Sequence, residues 1–326
     1  MGIQKFWKEP QTAPFWDTVL ILTDSGCQNS CPFCGVTSDD KFYSTWESIT
    51  ADADHILQLG LKHINIGGSD AGQYERLVDV VRYLRENGAN EVTLSSHGRP
   101  LKDPLFVKEL KAAGLSYFGV SLYGSTATIH NMISQYGGSS EGSAFLDTTE
   151  AIKNCVEQGI GIVGNILATQ YNKKDLNNIV QLYLDLTQNK ILKLGITAPI
   201  IVTGHVKDLT RFKDWYLPMK DMGPYLRDVI FNHPSIPKPV LFGILNIPYC
   251  VVGVNTELIV YPNLDRNQQV NNLYEKNEIE LPADVTPNVQ FEECAHCSMR
   301  SKCGGLPLNE IKMFGAYGLK AIERIE

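Results

Sequence analysis

Eight cysteines offer the most specific chemistry in this chain of 326 residues. Three of them, Cys27, Cys31 and Cys34, lie in one short segment with the spacing C-x3-C-x2-C. Three thiolates this close together can bind three irons of a cubane iron–sulfur cluster and leave the fourth iron open to another ligand. Structural zinc is the alternative, but zinc prefers four closed ligands, commonly in two C-x2-C pairs, which this segment does not contain. The spacing therefore favours a cluster with one open iron.

A second group of cysteines lies near the end of the chain. Cys294, Cys297 and Cys303 have the spacing C-x2-C-x5-C, which is one thiolate short of a closed site. Cys250 is the natural fourth ligand, and the four together would hold either an iron–sulfur cluster or zinc. The remaining cysteine, Cys155, lies in a predicted helix, where we expect it to pack in the core.

The overall composition argues against several classes of protein. The net charge is −7 and the isoelectric point about 5.6, and no basic stretch marks a nucleic-acid surface. No apolar run approaches the roughly 20 residues that span a bilayer, and residues 1–15 lack the basic-then-apolar order of a signal peptide. We therefore expect a cytoplasmic protein whose cysteines are metal ligands rather than disulfides.

Apolar runs alternate with amphipathic stretches between about residues 17 and 200. Six runs predict buried strands, at residues 18–22, 63–66, 91–94, 117–122, 161–167 and 191–196. Five stretches predict helices, at residues 49–59, 74–86, 104–113, 145–158 and 176–186. This alternation predicts an α/β fold with a parallel sheet, and the strands are too few for a closed (β/α)8 barrel. We expect a partial (β/α)6 barrel of the TIM type, with a doubly wound open sheet as the alternative.

The remainder of the chain has a different character. We expect an N-terminal extension at residues 1–16, the barrel at 17–200, a proline-rich bridge at 201–249 and a cysteine-bearing domain at 250–326. One helix is predicted in the bridge, at residues 221–231. Residues 250–261 have two apolar halves around Asn255, which is typical of a β-hairpin, and this hairpin would carry Cys250.

The first cysteine segment also resembles a known signature. The string from Cys27 to Cys34, with Phe33 directly before the last cysteine, resembles the signature of the radical S-adenosylmethionine (SAM) superfamily. The resemblance implies a [4Fe–4S] cluster whose open iron is chelated by the amino and carboxylate groups of SAM. It implies further that the reduced cluster cleaves SAM to a 5′-deoxyadenosyl radical, which takes a hydrogen atom from substrate, and that Phe33 belongs to the SAM site.

The end of the second predicted strand resembles the Gly-Gly-Glu motif of that superfamily, whose backbone contacts the methionine end of SAM. Gly67 and Gly68 match the two glycines, which permit close approach of a backbone to a ligand. Ser69 stands where glutamate is usual, and Asp70 could take its place. The alternative is a simple turn between a strand and a helix.

Polar residues at later strand ends complete the SAM site that the resemblance implies. Ser96 and His97 follow the third strand, where relatives carry Ser/Thr-Asn-Gly, and His97 replaces the asparagine. Ser121 and Asn165, on the fourth and fifth strands, match positions that reach the ribose or carboxylate of SAM. The alternative for each is a structural role. No general acid or base is assigned.

The C-terminal cysteines resemble the SPASM and twitch extensions of radical SAM enzymes, which implies one auxiliary [4Fe–4S] cluster on Cys250, Cys294, Cys297 and Cys303. The resemblance implies an enzyme that crosslinks, forms a thioether in, or epimerises a ribosomally synthesised peptide. Its electrons would come from a donor such as flavodoxin or ferredoxin. A radical dehydrogenase or epimerase of a small sugar-like metabolite, an RNA-modifying radical enzyme and a zinc-stabilised binding module are the alternatives. Within radical chemistry, Cys155 could return a hydrogen atom to substrate.

Overall fold

A parallel β-sheet forms the centre of the molecule. The computed structural model describes residues 4–5, 18–22, 27–34, 44–134, 143–191, 193–199, 213–233, 241–245, 247–253, 259–260, 288–300, 303, 305–314 and 322. The strands of the sheet are β1 (Gln4–Lys5), β2 (Thr18–Leu22), β3 (His63–Gly68), β4 (Glu91–Ser95), β5 (Tyr117–Ser121), β6 (Gly161–Leu167), β7 (Lys193–Thr197), β8 (Leu241–Leu245) and β9 (Ile259–Val260). They follow one another in chain order, and β2 to β9 run parallel while β1 pairs antiparallel with β2.

Helices connect the parallel strands and cover one face of the sheet. They are α1 (Trp46–Gln58), α2 (Leu77–Glu86), α3 (Pro104–Ala113), α4 (Ala127–Ser134), α5 (Ser143–Glu157), α6 (Leu176–Leu186), α7 (Met219–Asn232) and the short α8 (Tyr249–Val252). The start of α3 shows how the sequence sets a boundary. The Asp103 side chain accepts from the Leu105 amide at 2.9 Å, and Pro104 occupies the first helical position, where its missing N–H is not needed.

The two faces of the sheet have different chemistry, as β7 illustrates. Leu194 and Ile196 are completely buried in the main core, beneath the helices. Lys193, Gly195 and Thr197 lie on the opposite, inner face and are half-buried. Because successive side chains of a strand point to opposite faces, the helix-covered side is apolar while the inner side can carry polar groups.

The predicted α/β fold is confirmed, since all six predicted strands form and all run parallel. The sheet continues beyond them, because β8 pairs with β7 and β9 pairs with β8. The added strand β8 comes from the segment assigned to the bridge. Among the described strands, β1 and β9 are the two edges of one sheet, which leaves the barrel open and partial.

The predicted hairpin at residues 250–261 is wrong. Its first half is the helix α8, preceded by Pro248, whose fixed φ suits the position before a helical turn. Its second half contains β9, which pairs in parallel with β8 rather than antiparallel with the first half. A short apolar run is compatible with a strand or a buried helix, and tertiary packing decided between them. Asn255 lies outside the described residues.

The C-terminal part of the chain forms a small separate sheet. It consists of β10 (Asn288–Val289) and β11 (Leu306–Pro307), which pair antiparallel. Between them lies a 3-10 turn at Glu292–His296, and β11 leads directly into helix α9 (Leu308–Phe314). This arrangement brings the ends of the second cysteine segment together.

Candidate functional site

The first cysteine segment lies beyond the carboxyl end of β2, where α/β barrels place their chemistry. The Cys34 amide donates to the Cys31 carbonyl at 3.0 Å, so the last part of the segment is a tight turn. The Ser30 amide and the Cys31 thiol both donate to the Ser134 carbonyl at the end of α4, at 3.2 and 3.5 Å. Cys27 and Cys34 are exposed and Cys31 is half-buried.

The electrostatics of this segment fit a metal cluster. Burial, together with the neighbouring Cys34 and Cys27, raises the pKa of the Cys31 thiol to about 12. Thiols gathered this closely repel each other as thiolates, and a bound cation reverses that preference because it stabilises the deprotonated form. The segment therefore has the ligand type and mutual proximity that an iron–sulfur cluster requires.

Tyr123, which follows β5, supports the cysteine segment from the barrel side. Its ring meets Phe33 edge-on, with the ring centroids 5.5 Å apart, and its hydroxyl hydrogen-bonds to the Cys31 sulfur. The Tyr123 amide donates to Nδ1 of His130 at 3.3 Å, and its carbonyl accepts from the Asn172 side chain at 2.9 Å. Phe33, a predicted SAM contact, thus packs against protein on at least this side.

Asp70 and His97, both predicted SAM contacts, are bonded to each other. His97 Nε2 lies 2.7 Å from Asp70 Oδ2, and the Gln73 side chain donates to the same oxygen at 2.8 Å. The Ser96 hydroxyl lies nearby and accepts from the Gly98 amide at 3.0 Å. Burial opposes ionisation of Asp70, but these hydrogen bonds, that to His97 first, outweigh it and lower the pKa of the carboxyl. If His97 has a structural role, its specific partner is therefore Asp70.

Two observations bear on the protonation of His97. Burial disfavours a charged imidazole, but hydrogen bonds to Asp70 and Cys27 outweigh it and raise the pKa of His97 to about 9. The Arg99 amide, however, donates to Nδ1 at 3.3 Å, a bond that only an unprotonated Nδ1 accepts. The amide geometry favours a neutral ring with its proton on Nε2, facing Asp70, because the backbone N–H is fixed in place.

Asn165 links three neighbouring strands at the carboxyl edge of the sheet. Its Nδ2 donates to the Ser121 hydroxyl at 3.2 Å, and its Oδ1 accepts from the Thr197 hydroxyl at 2.9 Å. The buried Tyr183 of α6 holds the backbone behind this row, since its hydroxyl accepts from the amides of Leu122 and Asn165 at 2.9 and 3.2 Å. The structure thus brings Ser121 and Asn165 together at the carboxyl edge of the sheet.

Gly67 and Gly68 end β3, directly before the half-buried Ser69. Gly68 has φ 144°, and a Cβ on it would lie 1.9 Å from the carbonyl oxygen of Leu22, its partner in β2. The close approach of β2 and β3 therefore requires glycine at position 68. The same approach fixes the end of β2 that leads into the cysteine segment.

Sequence reasoning missed Gln73, Tyr183 and Thr197, which complete these networks. Gln73 shares an oxygen of Asp70 with His97, and the other two residues fix Asn165. No local pattern marks Tyr183 or Thr197, because their partners are distant in the chain, while Gln73 lies three residues after Asp70 with no motif to mark it. Tyr123 had a signal, since it follows a strand end in the same way as the predicted residues.

The four C-terminal cysteines line one pocket. Cys250 of α8 faces Cys294, Cys297 and Cys303 there, and Met299 contributes to the apolar wall. Burial and the three other cysteines, Cys303 first, raise the pKa of the Cys250 thiol to about 12. In the described part of the chain, no three His, Cys, Asp or Glu side chains are grouped so as to hold a single metal ion. The shared pocket and the mutual repulsion of its thiols fit the donor set of a four-cysteine cluster.

Cys155 lies elsewhere, as expected. It is completely buried in the main core, on α5, and burial alone raises the pKa of its thiol. In the part of the chain that the structure describes, no helix is long and apolar enough to cross a membrane.

Comparison with known proteins identifies the family. The family model of the radical SAM superfamily matches residues 21–183, which is half of the chain and includes the end of β2, the first cysteine segment and β3 to β6. The chain belongs to the radical SAM superfamily. Membership in this superfamily implies an enzyme that uses a [4Fe–4S] cluster and SAM, and the open barrel agrees with it.

Curated relatives match this chain in sequence, and solved structures match it in fold. Probable GTP 3′,8-cyclases from Saccharolobus solfataricus and Sulfurisphaera tokodaii are 25% and 26% identical over 181 and 163 residues, or 55% and 49% of this chain. The chain spans about half the length of these curated relatives, 56% and 49%. Streptococcus suis SuiB bound to precursor peptide SuiA superimposes with a TM-score of 0.61 at 13% identity, over 94% of this chain and 74% of SuiB. Native anSMEcpe with bound AdoMet gives 0.58 at 14% identity, over 94% and 93% of the two chains.

Proposed function

We propose that this radical SAM enzyme modifies a ribosomally synthesised peptide, using a SAM-binding cluster on Cys27, Cys31 and Cys34 and an auxiliary [4Fe–4S] cluster of the SPASM or twitch type. When bound, the first cluster supplies the electron that cleaves SAM to a 5′-deoxyadenosyl radical. A small electron-transfer protein such as flavodoxin or ferredoxin supplies that electron in turn.

The observation that carries the proposal is the convergence of four thiols from two distant segments on one pocket. Cys250 comes from α8, while Cys294, Cys297 and Cys303 come from the segment between β10 and β11. Four thiolates close the coordination of a cubane, so such a cluster would relay electrons rather than bind substrate. An electron relay suits a reaction in which the substrate is oxidised.

The residues of this chain have separate tasks in the proposed mechanism. The Ser134 carbonyl and the Tyr123 hydroxyl orient Cys31, and Phe33 covers the segment between the last two ligands. Asn165 and Ser121 offer an amide and a hydroxyl at the strand ends, which would bind the ribose or carboxylate of SAM. The buried Asp70–His97 pair stiffens the adjacent edge of the sheet.

A peptide substrate is favoured by the extent of the structural likeness. The match to SuiB and to anSMEcpe covers 94% of this chain, and both proteins have been solved with peptides. At 13% to 15% identity this likeness supports the fold, and the substrate is our proposal.

A nucleotide is the second candidate substrate. The curated relatives are named probable GTP 3′,8-cyclases, and they match about half of this chain. A reaction on GTP would use the same radical and the same strand ends, with a different occupant at the barrel mouth.

Anaerobic turnover tests the proposal. The reconstituted chain is incubated with SAM and dithionite, and with either peptides encoded beside the gene or GTP, and 5′-deoxyadenosine and substrate masses are measured. We expect release of 5′-deoxyadenosine and a mass change in a peptide, and neither in a chain in which Cys27, Cys31 and Cys34 are alanine. A colourless, zinc-containing protein that leaves SAM intact would overturn the radical mechanism, and a product formed from GTP alone would overturn the peptide substrate.

A further inference from the structure

Helix α9 links the two cysteine sites. It begins at Leu308, directly after β11, and β11 pairs with β10 on the other side of the second cysteine segment. The Gln290 side chain, which follows β10, donates to the carbonyls of Arg300 and Cys303 at 2.9 and 2.6 Å. A change in the four-thiol pocket therefore reaches α9 through two paired strands.

The other end of α9 meets the first cysteine segment through an aromatic bridge, defined as Phe33, Tyr216 and Phe314. Tyr216 is fully buried, and both Phe33 and Phe314 pack against it. The rings of Tyr216 and Phe314 are stacked, with centroids 5.4 Å apart and an interplanar angle of 13°. Phe33 lies between Cys31 and Cys34, so this contact acts directly on the segment that carries the ligands.

A buried carboxylate fixes α9 in this position. Glu310 is completely buried, accepts from the Tyr216 hydroxyl, and accepts from the Met219 amide at 2.8 Å. Met219 begins α7, and Pro218 before it gives that helix no side-chain cap. The carboxylate from α9 therefore caps α7, where the helix dipole favours a negative charge. Moving α9 would leave the buried Glu310 carboxylate without these hydrogen bonds, which costs free energy. The carboxylate therefore stabilises α9 in this one position.

We propose that Tyr216, Glu310 and Phe314 are positioning residues for the first cysteine segment, and that cluster loading in the four-thiol pocket strengthens SAM binding through α9. The proposal rests on the two clusters of the proposed function. Metal binding orders the residues around its ligands. Here that order is transmitted through β11 and α9 to Phe33, which packs against both Tyr216 and Tyr123.

The first test compares Phe314→Ala with a matched control, Phe106→Ala. Phe106 is also half-buried, but it lies on α3 and packs against the main core, outside the aromatic bridge. For Phe314→Ala we expect faster amide hydrogen exchange in residues 27–34, with and without clusters. We also expect the affinity for SAM, measured on chains whose first cluster is loaded, to be about fivefold weaker. A loss of this size is the effect of removing one aromatic contact. The Phe106 variant should show neither change.

Tyr216→Phe provides a milder second variant, since it keeps the stacked ring and removes only the hydroxyl that Glu310 accepts. We expect a smaller change in the same direction. Equal hydrogen exchange and SAM affinity in the Phe314→Ala and Phe106→Ala chains would overturn the positioning role. If the unaltered chain failed to bind iron or SAM, the proposed function itself would fail, which is a separate result.

Coupling between the two sites is tested by Cys294→Ala, alone and combined with Phe314→Ala. We expect Cys294→Ala to weaken SAM binding about as much as Phe314→Ala does, and the double variant to be no weaker than either. Effects that do not add are the mark of residues acting through one path. Independent, additive losses, or an unchanged SAM affinity in the Cys294→Ala chain, would overturn the coupling.

Discussion

At the scale of single residues, the inner face of the barrel holds one amine whose charge is disfavoured. Lys193 lies near the start of β7, and a Cβ on Gly243 of β8 would lie 3.1 Å from its Cε. The glycine thus leaves room for the lysine side chain. Burial lowers the pKa of Lys193 from 10.5 to about 8.

This shift predicts how stability depends on pH. Between about pH 8 and 10.5 the folded chain binds fewer protons at Lys193 than the unfolded chain, so folding stability rises with pH across that window. Lys193→Met replaces the buried charged amine with an apolar side chain, so it should raise the free energy of unfolding at pH 7. It should also abolish the increase in stability between about pH 8 and 10.5. Anaerobic denaturation at pH 7 and pH 10 measures both effects.

Lys190→Met is the control for this comparison, because Lys190 is exposed in the loop before β7. Its free energy of unfolding should follow that of the unaltered chain at both pH values. A Lys193→Met chain that keeps the full rise in stability would show that another group is responsible for it.

The Asp70–His97 pair shows a different use of residue chemistry. A histidine in place of the usual asparagine appears, from sequence, to be either a ligand contact or a structural residue. The fold gives it a buried carboxylate at 2.7 Å, from a strand end 27 positions earlier in the chain. The residues at these two strand ends thus satisfy each other's hydrogen bonds.

At the scale of elements, the junction of β2 and β3 determines where the first cysteine segment starts. Gly68→Ala would force a Cβ against the Leu22 carbonyl and place alanine at φ 144°. We expect a loss of roughly 3 kcal/mol or more in stability, from overpacking and backbone strain together. Iron bound by the first segment should fall as well, because β2 leads into it.

Gly88→Ala measures the cost of backbone strain without the steric clash. Gly88 has φ 104°, but a Cβ there would meet nothing within 4 Å. Its loss should be about 1 kcal/mol, with no change in bound iron. Equal losses of stability in the two variants, measured by denaturation of the chain, would contradict the close approach of β2 and β3.

At the scale of the whole molecule, the proposed second metal site depends on contacts between distant parts of the chain. Cys250→Ser removes the ligand that comes from α8. We expect iron to fall from about eight to about four atoms per chain, since each cubane holds four irons. Iron analysis after anaerobic reconstitution measures this, and the first cluster should still show its spectral change on addition of SAM.

Cys155→Ser is the matched control, because Cys155 is also a buried cysteine but packs in the main core away from both sites. Its iron content should equal that of the unaltered chain. If Cys250→Ser bound as much iron as this control, the auxiliary site would have to be built without α8.

Much of this molecule follows from local sequence alone. The spacing of Cys27, Cys31 and Cys34 is local, and the alternation of apolar runs with amphipathic stretches predicted all six strands and the five helices between them, because periodicity reports which face of an element is buried. The caps at Asp103 and Gly114, which set the ends of α3, are also local features of the sequence. The helix α4, at Ala127–Ser134, was not predicted.

Tertiary structure decided the rest. It made residues 249–252 a helix instead of a hairpin strand, added β8 and β9 to the sheet, and joined Glu310 to Tyr216 across more than 90 residues. A short apolar run fits either a strand or a helix until its neighbours are known, and a buried carboxylate acquires its partners only when the chain has folded around it. The cysteine spacing by itself therefore pointed to the proposed ligands of the first site, and the fold determined which residues hold them in place.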